Sequence, residues 1–241
     1  MNQRHIGLAV VLFVITAAVW FLLGTSLEAR VLAIEELIEF SKDQFLSLTP
    51  ISRQLGSSSP TSSQQFTYDG ITLELPWAGI PTIQSRQGVG TQIKFPDGNF
   101  VMLVSPFPDR LIRQEFLSST TEDTSKLDTL FGQENLQSNA AFFNLVLSSN
   151  LKTLSSFAAS SKALFAQEAL LPIKLTLFYD SSTQAIYRFS SSNLSAFEFT
   201  DLPVKNLSYI DLFDPNDNGH LITTSANQNE IDFIISSVRF E

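Results

Sequence analysis

The chain has no cysteine and only two histidines, His5 and His220, in 241 residues. Lack of cysteine excludes disulfides, thiol catalysis and cysteine metal sites, and it is compatible with either side of a membrane. Positive charge is also scarce. With 15 Lys and Arg against 24 Asp and Glu, the net charge is -9 and the pI about 4.7. Such a chain repels phosphate backbones and anionic headgroups, which argues against nucleic acid and peripheral lipid as partners. No glycine-rich phosphate loop occurs, and no cofactor is expected. Tryptophan and tyrosine are few, 2 and 4, whereas phenylalanine is abundant at 21. With 44% hydrophobic residues the chain can bury a core, which excludes global disorder and gives most phenylalanines a packing role.

What is present begins with an uncharged run from Ile6 to Leu23, about 18 residues, which as a helix reaches roughly 27 Å and can span a bilayer. A cleaved secretory signal is the competing reading, with Gly24 and Ser26 as small residues near a cut. The length of the run and the bulky pair Trp20 and Phe21, placed like an interfacial aromatic belt, favour an uncleaved anchor. Arg4 and the N-terminal amine stand on one flank, while Arg30 on the other lies among Glu28, Glu35 and Glu36. The positive-inside rule then puts residues 1–5 in the cytoplasm, a transmembrane anchor at 6–24, and the rest outside the plasma (inner) membrane.

Past the anchor, Leu27, Val31, Ile34, Ile38, Phe45 and Leu48 alternate in spacings of three and four, with Ser41 in the one missing place. This is a heptad seam on a membrane-proximal amphipathic helix over 26–49, stopped by Pro50. The seam either promotes self-association, giving a homodimer, or lies against the chain's own domain. The polar stretch Gly56 to Gln65 has nothing to bury and reads as a flexible linker within 50–65.

Residues 66–241 read as one α+β domain. Ile71, Leu73 and Leu75 alternate with polar residues up to Pro76, and Thr91 to Phe95 with Phe100 to Ser105 flank the turn Pro96-Asp97-Gly98-Asn99. The period then changes. Leu111, Ile112 and Phe116 suggest one helix, Leu127, Leu130 and Phe131 a second, and Ala141 to Leu147, capped by Ser138, a third. Leu154 to Leu171 trace a fourth, ended by Pro172. Ile173, Leu175, Leu177 and Tyr179 alternate as a strand that turns at Asp180 to Thr183 and returns through Ala185, Tyr187 and Phe189. Phe197 and Phe199 mark a short strand, and Tyr209 to Phe213 with His220 to Thr224 form a last hairpin. A closing helix carries Ile231, Ile234, Ile235 and Val238 on one stripe, with a capping box expected from Ser225 to Gln228. The sum is a largely antiparallel sheet flanked by helices.

The opening Phe66-Thr67-Tyr68-Asp69-Gly70-Ile71-Thr72-Leu73-Glu74-Leu75-Pro76 and the closing Ile231-Asp232-Phe233-Ile234-Ile235-Ser236-Ser237-Val238-Arg239-Phe240 resemble the PsbP/Mog1-like group of α/β/α sandwiches. The helical stretch from Asp109 to Leu170 is longer than that group's. The resemblance implies a non-catalytic binding or assembly domain and supplies no site residues.

Chemistry-bearing motifs are few. His220 sits at a predicted strand end with no nucleophile elbow around it, and reads as a hydrogen-bonded structural histidine. Ser149 and Lys152 make one S-x-x-K match without the K-T-G that would accompany it, at a frequency chance explains. Asp214-Pro215-Asn216-Asp217-Asn218-Gly219 fits the first half of a calcium loop, making Asp214, Asn216 and Asn218 candidate ligands. The twelfth position is Ser225 where a bidentate Glu belongs, and the same residues suit a hairpin turn. Asn193-Leu194-Ser195 and Asn206-Leu207-Ser208 are glycosylation sequons. Two functions remain: a membrane-anchored extracytoplasmic domain that binds or assembles a protein partner, and an envelope hydrolase using Asp and Glu carboxylates. Paired carboxylates at the floor of a cleft would favour the enzyme, and an exposed apolar patch the binder.

Overall fold

In the computed structural model of the chain, residues 44–56, 60–87, 89–107, 112–119, 124–150, 170–171, 173–174, 183–191, 193–200 and 207–241 are described. The apolar run at 6–24 and the seam residues Leu27, Val31, Ile34 and Ile38 lie outside them. Among the described residues no helix is long and apolar enough to cross a membrane.

Strands run in chain order as β1 (Ile51–Ser52), β2 (Gln64–Tyr68), β3 (Ile71–Leu75), β4 (Thr82–Arg86), β5 (Gly90–Lys94), β6 (Phe100–Val104), β7 (Ala185–Ser191), β8 (Leu194–Thr200), β9 (Ser208–Phe213), β10 (Gly219–Thr224) and β11 (Arg239–Phe240). The helices are α1 (Ile112–Ser119), α2 (Thr124–Phe131), α3 (Gln133–Leu136), α4 (Asn139–Ser148) and α5 (Gln228–Ser237). The chain divides into two units, Pro50–Ile112 with Ser182–Glu241, and Met1–Thr49 with Arg113–Ser181. Residues 66–241, expected as one domain, fall in both units.

The first unit holds an eight-stranded sheet in the order β1-β7-β8-β9-β10-β6-β5-β4 and a three-stranded sheet β11-β3-β2. Every pairing is antiparallel except that of β1 with β7, so the fold is α+β as expected. Alternation sets the register: Ile71, Leu73 and Leu75 are buried while Thr72 and Glu74 are half-exposed. The predicted hairpin turn at Pro96 to Asn99 joins β5 to β6, with Gly98 at φ +96° closing it through its N–H to the Phe95 carbonyl. The closing helix α5 buries the stripe Ile231, Ile234, Ile235 and Val238 against a core that includes Leu73, Leu75, Trp77, Phe95, Ile210 and Leu212. Its last residue, Ser237, accepts from the Glu74 N–H at 2.8 Å and so ties the helix to β3.

Several expectations change. The capping box is Asn227 with Glu230, because Ser225 is drawn to β6, where its hydroxyl accepts from the Phe100 N–H at 3.0 Å. The linker at 50–65 is shorter at both ends: Ile51–Ser52 is a strand paired with β7, and Gln64 and Gln65 belong to β2. Of the strand expected over Ile173–Tyr179, only Ile173 and Lys174 are described, and they do not begin a strand. The neighbours of β7 are β1 and β8, and Ile173 and Lys174 are helical, as are Leu170 and Leu171. A short apolar run satisfies both periods, and burial of Leu170, Leu171 and Ile173 decides for the helix. The predicted fourth helix falls mostly outside the described residues.

In the second unit, Ser138 caps α4 as expected, accepting from the Ala141 N–H at 3.1 Å. Phe116 packs on Phe131 and Phe142, and the Arg113 guanidinium donates to the Leu136 carbonyl. Of the seam residues, Phe45 falls in a short 3-10 turn, Gln44–Ser47, and Leu48 is half-buried. The fully buried side chain there is Leu46, which the heptad spacing omits.

Candidate interaction surface

The two edges of the large sheet differ. One is β1, only two residues long, which leaves little unpaired backbone. The other is β4, whose five residues are all exposed and which among the described residues pairs only with β5. Its one charge is Arg86, the last residue of the strand. Ile80 is 91% exposed, Ile83 54% and Val89 46%, all on this one hairpin or its approach. Scattered surface hydrophobics are ordinary, but three on and around an edge strand with so little charge form an apolar strip beside N–H and C=O groups that have no partner among the described residues.

Titratable groups gather elsewhere in this unit, beneath α5. The Arg53 guanidinium donates to Asp232 Oδ2 at 2.8 Å, and the Gly56 N–H donates to the same oxygen at 3.2 Å. Glu198, fully buried on β8, accepts from the Gln228 side chain at 2.9 Å. Burial pushes the Glu198 carboxyl up to about 7, and Asp232 adds to the rise, while the Gln228 hydrogen bond and Arg53 oppose it. Sequence reasoning missed this cluster, since its members are far apart in the chain and meet only when α5 lies over the sheet. It contains two carboxylates, as the hydrolase reading requires. Both are buried, and one Asp232 oxygen already serves two donors, so no substrate reaches an acid-base pair there.

His220 on β10 does acquire neighbours that its sequence context hid. The pairing of Leu221 with Val104 brings Ser105 beside it, and the β9–β10 turn brings Asp214. Ser105 Oγ lies 3.0 Å from His220 Nδ1, and Asp214 Oδ2 lies 3.6 Å from Nε2. Three features separate this from a working triad. The Ser105 hydroxyl donates its one proton to the Asp69 carbonyl at 3.0 Å, so Nδ1–H is the donor to Oγ. The Asp214 contact is too long for a hydrogen bond. The ring is stacked on Phe240 at 5.3 Å, and burial lowers its pKa against the opposing pull of Asp214. His220 is thus held by its Ser105 hydrogen bond and its stacking on Phe240.

The candidate calcium residues form the turn itself. Asp214 accepts from the Asn218 backbone N–H at 2.8 Å and its side-chain amide at 2.9 Å, and Asp217 adopts φ +65°. Burial raises the Asp214 pKa, but these bonds, the Asn216 N–H and His220 outweigh it and the net shift is downward. In the helical unit, the ammonium of buried Lys174 donates to the carbonyls of Leu48, Leu147 and Ser149. Burial lowers its pKa to about 7, although three carbonyl acceptors suit the charged form. Ser149 of the S-x-x-K match gives its hydroxyl proton to the Val146 carbonyl at 2.6 Å, and Lys152 lies outside the described residues. Asn193 of the first sequon is exposed in the β7–β8 turn, and Asn206 lies outside the described residues.

No protein family, curated protein or solved structure matches this chain.

Proposed function

We propose that the chain is a single-pass membrane protein whose extracytoplasmic α+β unit, PsbP/Mog1-like in kind, binds a protein partner by accepting an extended segment on the free edge of β4. The single observation that carries this is the wholly exposed edge, uncharged up to Arg86, with Ile80 and Ile83 beside it. Backbone groups of an added strand would pair with β4, and alternate side chains would rest on Ile83. The anchor at 6–24, the positive flank at Arg4 and the acidic composition support placement outside the plasma membrane, where lipid headgroups repel the domain. The hydrolase alternative is disfavoured by the burial of Glu198 and Asp232.

The test has two arms. Alkaline carbonate leaves the full-length protein in the membrane pellet, and protease added from outside digests the domain. In native gels of membrane extracts, wild type migrates in a complex and an Ile80→Asp/Ile83→Asp variant migrates as the lone chain. Release by carbonate would remove the anchor, and unchanged migration of the variant would remove the edge from the binding surface.

A further inference from the structure

Hydrogen-bond parity identifies the backbone groups that β4 turns to its outer edge. The Phe95 N–H bonds to the Asn99 carbonyl across the β5–β6 turn, so Phe95, Ile93 and Thr91 direct their backbone groups at β6, and Lys94, Gln92 and Gly90 direct theirs at β4. Through the β4–β5 register, Thr82, Gln84 and Arg86 are then the residues bonded to β5. The Arg86 carbonyl agrees, since it accepts from the Val89 N–H at 3.0 Å. Ile83 and Ser85 direct their N–H and C=O groups outward, where no partner stands among the described residues. The next residue of that parity is Pro81, which has no N–H to offer.

These features make β4 complementary to itself. In an antiparallel pairing of two copies about a two-fold axis at Gln84, Ile83 of each chain opposes Ser85 of the other, and each such pair exchanges both of its backbone bonds. Arg86, the one charge on the strand, then lies opposite Thr82 of the other copy. The two arginines stand roughly 13 Å apart along the strands, beyond a Debye length of about 8 Å. Moving the axis to Ser85 would bring them to about 8 Å, where they repel. Moving it to Ile83 would oppose Ser85 to Pro81, which cannot donate. Charge and proline therefore leave the axis at Gln84. In that register the two Ile83 side chains are diagonal neighbours on one face of the joined sheet, and the two Gln84 amides, each with donor and acceptor, are directly opposed on the other.

We propose that the strand accepted by β4 is the β4 of a second copy of this chain, joined edge to edge about a two-fold axis at Gln84. This rests on the reading of β4 as a binding edge and names its occupant. A strand pair of five residues a side is a small contact, so the pairing belongs to the membrane, where the proposed anchor confines the chains to one plane.

The test is disulfide trapping in intact membranes, in a chain that has no cysteine of its own. Opposed residues outside the backbone bonds have Cα atoms about 4.5 Å apart, within the range of about 4.4 to 6.8 Å that a disulfide spans. Oxidation by copper phenanthroline should therefore convert Gln84→Cys into a covalent dimer, and Thr82→Cys or Arg86→Cys alone at least about tenfold less. Thr82→Cys and Arg86→Cys chains expressed together should crosslink to one another. In the Gln84→Cys background, Ser85→Pro removes an outward N–H that β5 does not use, and should lower the dimer about tenfold. Ile83→Asp, at an exposed position, should do likewise and serves if the proline variant misfolds. Equal trapping at all three cysteine positions, or an undiminished dimer in the folded Ser85 and Ile83 variants, would overturn the proposal.

A photo-crosslinker at Ile83 separates the proposal from the reading beneath it. An adduct of twice the chain's mass supports both. An adduct with a different protein, without a Gln84→Cys dimer, overturns the second copy and leaves the edge as the binding surface. Absence of both adduct and dimer overturns both.

Discussion

Replacing Glu198 by Gln should remove a pH-dependent loss of stability from the sheet unit. Glu198 is fully buried, and its pKa is raised from 4.5 to about 7, first by burial and then by Asp232. Below pH 4.5 the carboxyl is protonated folded or unfolded. Between 4.5 and 7 the folded state keeps a proton that the unfolded chain has released, so stability falls as pH rises. Above 7 both states are ionised and the loss is complete, at about 3 kcal/mol by linkage. The substituted glutamine cannot ionise, and its amide oxygen can still accept from Gln228. The unit reports through Trp77, which is buried and donates to Glu230 at 2.9 Å, once Trp20 is changed to Phe. Urea unfolding of full-length protein in non-ionic detergent, followed by Trp77 fluorescence, should show the wild-type free energy falling relative to the variant by about 3 kcal/mol between pH 4.5 and 8. Parallel curves over that interval would refute the placement of Glu198 as a buried acid beneath α5.

Gly90 stands at φ +122°, and a Cβ there would lie 2.2 Å from the Leu103 carbonyl oxygen; Gly90→Ala should therefore cost about 2 kcal/mol or more and loosen the β5–β6 pairing, seen as faster amide exchange. Lys174→Met leaves three carbonyls without their donor and should destabilise the helical unit by about 3 kcal/mol, read from loss of helical circular dichroism on heating. Calcium at about 0.1 mM should leave the melting temperature unchanged, because Asp214 is occupied by Asn218 and a loop lacking the bidentate ligand binds at best near 1 mM. A rise of several degrees, absent in Asp214→Ala, would restore the metal reading.

Local patterns were legible where they involve near neighbours. The Pro96–Asn99 turn, the β9–β10 hairpin, the Ser138 cap and the α5 stripe depend on residues within a few positions of each other, and composition with periodicity specifies them. What failed depends on distant partners. Ser225 serves β6 rather than α5 because Phe100 lies across the sheet, more than a hundred positions away in the chain. The Ile173 strand became helix because burial, not period, decides a short apolar run. The Arg53, Glu198 and Asp232 cluster joins residues far apart in the chain, so no motif or spacing reveals its membership. The signal that would have found it is a charged residue inside an apolar strand, Glu198 between Phe197 and Phe199, which requires a partner from somewhere else.

In the membrane, a partner strand should occupy the edge of β4. A photo-crosslinking amino acid at Ile83, irradiated in intact membranes, should give one defined protein adduct, while the same probe at exposed Asn193 gives none. An adduct at both positions, or at neither, would contradict it.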